Sequence, residues 1–233
     1  MPSLKNAVVL VTGGSRGLGN ALVEEAFARG AAKVYATARD PRTVRHPDAV
    51  PLALEITDPG SVTAAAAQAQ DVTVLINNAG ASVNASLLDA PLEDVRREFE
   101  TNFYGPLRVT RAFVPIIERN GGGHVLTVHS ALSWLGIAGS YSASKAALWS
   151  QSNSLRLELK PRGIGVTGLH VGYVDTDMTA GIDAPKAKPR DVAVRALDGV
   201  ESDAHEVLAD DVSRRVKAAL AEDLAALYPQ LAA

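Results

Sequence analysis

Cysteine is missing from the 233 residues, and with it every disulfide, thiolate metal site and catalytic thiol. That absence fits a reducing compartment. No apolar run is long enough to span a bilayer, and Met1-Pro2-Ser3-Leu4-Lys5-Asn6 lacks the apolar core of a signal peptide. The expectation is therefore a soluble, cytoplasmic chain with no membrane partner. There is no basic run, and the formal net charge is -3, so the positively charged stripe that nucleic acid requires is absent too. The five histidines, at 46, 124, 129, 170 and 205, show no metal-ligand spacing and several fall in strand-like runs, so no metal site is expected. What is present is a chain 47% hydrophobic and 21% charged, enough to build one domain around a sizeable core.

Apolar runs of strand length alternate with longer helical patterns, the signature of βαβ units around a parallel sheet. The expected strands are Ala7–Val11, Lys33–Thr37, Val50–Leu54, Val72–Ile76, His124–Val128, Ile164–His170 and His205–Ala209. Helices are expected at Gly17–Arg29, Leu92–Tyr104, Pro106–Arg119 and Tyr141–Lys160, with Asp58-Pro59 and Asp89-Ala90-Pro91 each placing an N-cap acid ahead of a proline. A helical pattern from Val212 to Leu227 makes residues 211–233 a C-terminal extension of a single domain spanning 1–233. No repeat or linker divides it.

The run Val8-Val9-Leu10-Val11-Thr12-Gly13-Gly14-Ser15-Arg16-Gly17-Leu18-Gly19 is a buried strand entering a glycine-rich turn and then a helix. Glycines let the backbone approach a phosphate, and the helix start offers unpaired N–H groups and a partial positive charge, so a pyrophosphate is expected there. The spacing is Gly-x3-Gly-x-Gly, not the Gly-x-Gly-x-x-Gly of the usual dinucleotide fingerprint. Residues 13–17 also fit Gly-x-Ser-x-Gly, the serine elbow of α/β-hydrolases, with Asp175 and His205 later in the required order; an elbow, however, normally follows several strands rather than the first. After the second strand, where an acid would bind ribose hydroxyls, the chain reads Ala36-Thr37-Ala38-Arg39. Arg39 and Arg16 suit a 2′-phosphate, which points to NADP(H), whereas Asp40, beyond the strand end and before Pro41, is the weaker mark of NAD. Asn77-Asn78-Ala79-Gly80 ends the fourth strand on the edge where open α/β sheets bind ligands.

Tyr141 and Lys145 are four residues apart on a helical pattern and so share a face. The ammonium is expected to favour the phenolate and lower the tyrosine pKa, making the pair a general acid/base. Ser130, 11 residues earlier, is positioned to hydrogen-bond a carbonyl oxygen, with Ser133 as the alternate. Leu132, Trp134, Tyr173 and Met178 flank the expected pocket, with packing in the core the equal alternative for each, and the short, proline-bearing Thr179–Pro189 is expected to cover it.

Thr12-Gly13-x3-Gly17-x-Gly19, Asn77-Asn78-Ala79-Gly80, Asn102, Ser130 and Tyr141-x3-Lys145, in that order, resemble the short-chain dehydrogenase/reductase family over nearly the whole chain. The resemblance implies a Rossmann-like, doubly wound parallel sheet of about seven strands with helices on both faces. It implies Tyr141 as acid/base, Ser130 orienting the carbonyl, Lys145 on the nicotinamide ribose, and Asn102 helping to hold a water in a proton relay. It further places Val174 and Thr176 at the nicotinamide amide, Asn78, Ala79 and Gly80 along the adenosine-ribose side, and Glu55 and Ile56 near the adenine. The phosphate turn would comprise Gly13, Ser15, Arg16, Gly17, Leu18 and Gly19. Val171-Gly172 stands where the family usually has Pro-Gly. Helices at Pro106–Arg119 and Tyr141–Lys160 would pair across a dimer axis. The implied activity is interconversion of a ketone or aldehyde and an alcohol with NADP(H) as cofactor; a redox sensor that binds NADP(H) without turnover is the alternative of a different class.

Overall fold

The computed structural model describes residues 3–231; Met1, Pro2, Ala232 and Ala233, which the expected domain of 1–233 includes, lie outside the described residues. Seven strands form one sheet: β1 Val8–Val11, β2 Lys33–Ala38, β3 Val50–Ala53, β4 Val74–Asn77, β5 Gly123–Val128, β6 Ile164–His170 and β7 Glu206–Leu208. Every pairing is parallel and the spatial order is β3-β2-β1-β4-β5-β6-β7. The chain runs outward from β1 to β3, then crosses back to β4 beside β1. The crevice at that reversal is where an open α/β sheet has room for a ligand.

Strand side chains alternate between faces, and here both faces are apolar. Val9, Val11, Val34, Ala36, Val74, Ile76, Leu126 and Val128 point to one core, shared with helix α1 (Gly17–Ala28) and helix α6 (Pro189–Glu201). Leu10, Tyr35, Leu75, Val125 and Val166 point to the other, shared with α2 (Pro59–Gln68) and α4 (Gly105–Arg119). Burial on both faces is why the strands read as continuous hydrophobic runs. Arg29 at the end of α1 binds Asp198 and Glu201 of α6 at 2.8 Å each, fixing the two helices together across their shared face.

The Asp58 cap is present: its carboxylate accepts from the Gly60 N–H at 2.9 Å ahead of Pro59. The Asp89 cap is not. Asp89 accepts from the Ser86 hydroxyl instead, and Pro91 occupies the N-cap position of α3 (Leu92–Phe99) without a side-chain bond. Glu93 and Asp94 in the first turn supply the negative charge that the helix start favours. Where one helix over Leu92–Tyr104 was expected, residues Glu100–Tyr104 widen into a π-turn that leads into α4. The C-terminal pattern also divides, into α7 (Asp211–Ala219) and α8 (Leu224–Leu227). Asp223 turns its carboxylate onto the Ala225 N–H, starting a new helix rather than continuing the old one. Helix α5 (Gly139–Leu159) begins two residues before Tyr141.

Candidate active site

A cleft of about 1900 Å³ opens along the C-terminal ends of β1, β4, β5 and β6. One end of it is the turn after β1. Gly13 has φ +66°, a conformation costly for any residue with a Cβ. A Cβ on Gly19 would run into the Gly13 carbonyl oxygen and come within 2.7 Å of the Asn78 amide nitrogen. The turn can therefore close only with glycine, and it aims the start of α1 into the cleft. Thr12 locks it to the next strand: its hydroxyl accepts from the Asn78 and Ala79 N–H groups at 2.9 Å each. Asn78 returns a bond to the Thr12 carbonyl at 2.9 Å.

Gly13, Ser15, Arg16, Gly17, Leu18, Gly19, Arg39, Glu55, Ile56, Asn78, Ala79, Gly80, Tyr141, Lys145, Val174 and Thr176 all line this cleft, with Ser130. Arg39, at the mouth of the cleft, is 82% exposed and lies 4.0 Å from Glu55. Arg16 is engaged, bonded to Asp177 at 3.0 Å across the cleft. Asp40, the alternative mark of NAD, lies outside the cleft lining and is consumed by Arg42, whose backbone and guanidinium it accepts at 3.0 and 2.9 Å. Those bonds hold its carboxyl below the usual carboxylate range.

At the other end, Ser130 caps a short turn after β5, accepting from the Leu132 N–H at 3.1 Å. Ser133 bonds back to the Ser130 N–H at 3.3 Å and faces a separate shallow pocket, so of the two serines Ser130 is the one in the cleft. The nearby Ser130 hydroxyl pulls the phenol pKa of Tyr141 down. Burial outweighs it. Tyr141 is pushed up to about 12 by loss of hydration, with Glu98 adding to the rise. Lys145 is pushed down to about 8 by the same loss of water. Its ammonium, 5.8 Å from the Tyr141 ring centre, donates to the Val128 carbonyl at 2.9 Å. The expectation that Lys145 lowers the tyrosine pKa is thereby corrected: desolvation of the phenolate dominates, a quantity that residue spacing does not contain.

Asn102 sits behind the wall rather than on it. Fully buried on the π-turn, it donates to the Ala81 carbonyl at 2.9 Å and to Ser144 at 3.0 Å, and accepts from the Ala81 N–H at 2.9 Å. Its side chain is thus committed to shaping the Gly80–Ala81 wall. Leu132, Tyr173 and Met178 line the cleft as expected, but Trp134 does not; it is core, stacked on His170 with ring centres 3.9 Å apart. His170 approaches the Ser130 carbonyl at 3.4 Å and Glu206 at 3.6 Å, and Glu206 accepts from Trp149 and Lys217 at 2.7 Å each. This buried brace behind the serine is what residue patterns missed; a histidine inside a strand was its only trace. The serine-elbow reading fails on topology: His205 precedes β7, at the sheet edge opposite the glycine turn, and neither it nor Asp175 lines the cleft. Among the described residues, no three His, Asp or Glu side chains gather as metal ligands, and no helix is long and apolar enough to cross a membrane.

Comparison with known proteins adds four findings. A profile described as short chain dehydrogenase matches residues 7–187. An NADPH-dependent 1-acyldihydroxyacetone phosphate reductase of Schizosaccharomyces pombe is 38% identical over 179 residues, 72% of this chain and 60% of that protein's length. A 3-oxoacyl-[acyl-carrier-protein] reductase of Salmonella typhimurium is 33% identical over 189 residues, 76% of this chain and 77% of the relative. Among solved structures, a short chain dehydrogenase from Burkholderia cenocepacia in complex with NADP superposes with a TM-score of 0.93 at 36% identity, covering 99% of both chains.

Proposed function

Because the chain belongs to the short-chain dehydrogenase family, matched over residues 7–187, we propose that it is an NADP(H)-dependent carbonyl reductase, interconverting a ketone or aldehyde and an alcohol. The observation that carries this reading is the convergence of Ser130, Tyr141 and Lys145 on one end of a cleft whose other end is the glycine turn. Cofactor fit rests on that turn, which a Cβ at Gly19 would fill, and on the exposed charge of Arg39. An NADP-bound structure of 36% identity supports it.

In this reading the start of α1 and Gly13–Gly19 hold the pyrophosphate, Arg39 and Arg16 hold the 2′-phosphate, and Glu55 and Ile56 border the adenine. Asn78, Ala79 and Gly80 line the adenosine-ribose side, while Val174 and Thr176 meet the carboxamide. When bound, NADPH supplies the hydride. The chain's residues do the rest. Ser130 donates to the carbonyl oxygen, Tyr141 delivers the proton to it, and Lys145 holds the nicotinamide ribose and returns a proton to the phenol. A phenol of pKa near 12 stays protonated at neutral pH, as a proton donor must. Asn102 acts by fixing the wall opposite Lys145. The lining by Leu132, Tyr173 and Met178 suits a modest, largely uncharged carbonyl compound. A dimer across α4 and α5 is the expected assembly, with Leu157 of α5 78% exposed; light scattering of the purified chain tests it.

The enzyme reading is tested by following NADPH absorbance across a panel of ketones and aldehydes. Turnover is expected, and Tyr141→Phe should cut kcat by roughly 10²- to 10⁴-fold, the usual worth of a general acid, while NADPH still binds. Tight NADPH binding with no turnover on the whole panel would instead mark a sensor.

A further inference from the structure

Residues 81–86 form one wall of the cleft, with Ala81, Ser82, Val83, Asn84 and Ser86 facing into it, yet they belong to no strand or helix. Their backbone is nonetheless held at every second residue. The Ala81 N–H donates to Asn102 Oδ1 at 2.9 Å, the Val83 N–H to Glu98 Oε1 at 2.7 Å, and the Ala85 N–H to Ser140 Oγ at 3.0 Å. Asn84, at φ +53°, breaks the run before the last of these amides, and three side chains do here what a neighbouring strand would otherwise do. Glu98 is the central one. Its second oxygen accepts from the Ser140 hydroxyl, one residue before Tyr141 in the first turn of α5.

Glu98 is 0% exposed and, among the described residues, forms no ion pair. Both of its oxygens are used, one on the wall and one on the head of α5, as a buried polar group requires. Resting on the reductase reading, we propose that Glu98 is a positioning residue that clamps the cleft wall 81–86 to the head of α5, one residue ahead of Tyr141.

Two variants test the clamp. Glu98→Ala removes it: amide exchange at Val83 and Ala85 should accelerate. Carbonyl kcat/KM should then fall on the order of ten- to a hundredfold, the scale of small misplacements near reacting groups, while the NADPH Kd holds. Glu98→Gln keeps an oxygen for the Val83 N–H and a polar group for Ser140, and should restore both exchange and kcat/KM to near the wild-type values. Wild-type amide exchange in Glu98→Ala overturns the proposal, and so does a Glu98→Gln as impaired as Glu98→Ala. Should the wild type bind NADPH and reduce nothing, the reductase reading fails, and amide exchange in the two variants still decides for or against Glu98.

Discussion

Arg39 stands at the cleft mouth with 82% of its side chain exposed and Glu55 4.0 Å away, and the reading proposed above gives its guanidinium the cofactor's 2′-phosphate. Arg39→Ala should raise the Michaelis constant for NADPH roughly ten- to a hundredfold, the value of a lost charge-assisted bond, and leave that for NADH unchanged; initial rates with both cofactors check this. The pair Ala38-Arg39 was legible in the sequence because β2 ends there and an acid is missing. Ser130 and Ser133 were both visible as candidates, but only the turn shows that Ser130 lines the cleft and Ser133 the separate pocket. The acidity of Tyr141 was not legible. Spacing puts a cation near the phenol, but burial, which depends on everything packed around it, decides the direction. Glu98 and His170 were hidden for the same reason: a lone acid in a helix and a lone histidine in a strand acquire meaning only from distant partners.

At the level of elements, the turn from β1 into α1 tolerates least. A methyl group at position 19 meets the Gly13 carbonyl and the Asn78 side chain, so Gly19→Ala should push the turn open, abolish NADPH binding in calorimetry and lower Tm, while Gly121→Ala tests a glycine whose Cβ would meet nothing within 4 Å but whose φ of +96° is strained. Only the first substitution is expected to reach the cofactor. Strand and helix identities followed from hydrophobic period, since both faces of the central strands are covered and these read as apolar runs. Boundaries slipped where a side chain captured the backbone. Asp223 divides the last helical pattern, and the π-turn at Glu100–Tyr104 interrupts a stretch whose composition reads as plain helix. Such turns carry no distinct residue pattern, because widening one turn alters hydrogen bonds but not polarity.

For the molecule as a whole, three histidines are sealed inside: His124, His129 and His170 are each at most 2% exposed. Burial lowers all three pKa values, His124 to about 4 against an ordinary 6.5. Between those values the unfolded chain binds more protons than the folded one, so stability is full above pH 6.5 and drains away as pH falls toward 4. His124 alone accounts for on the order of 3 kcal/mol over that window. Thermal melts from pH 7 to 4 should show a steep fall in Tm, and His124→Asn should flatten it. The parallel sheet and its order were readable as a class from alternating elements; that β7 would be only three residues long was not, since an edge strand gains little from a longer apolar run. One contact spans this whole architecture. Arg16 and Asp177 are 161 residues apart in the chain and meet over the cleft, which gives the molecule an anion of its own competing for the same guanidinium as any incoming phosphate. Asp177→Asn should therefore lower the Michaelis constant for NADPH and not for NADH. Added salt, which screens so exposed a pair, should weaken the internal rival and the external one together, shrinking the advantage of the variant as ionic strength climbs.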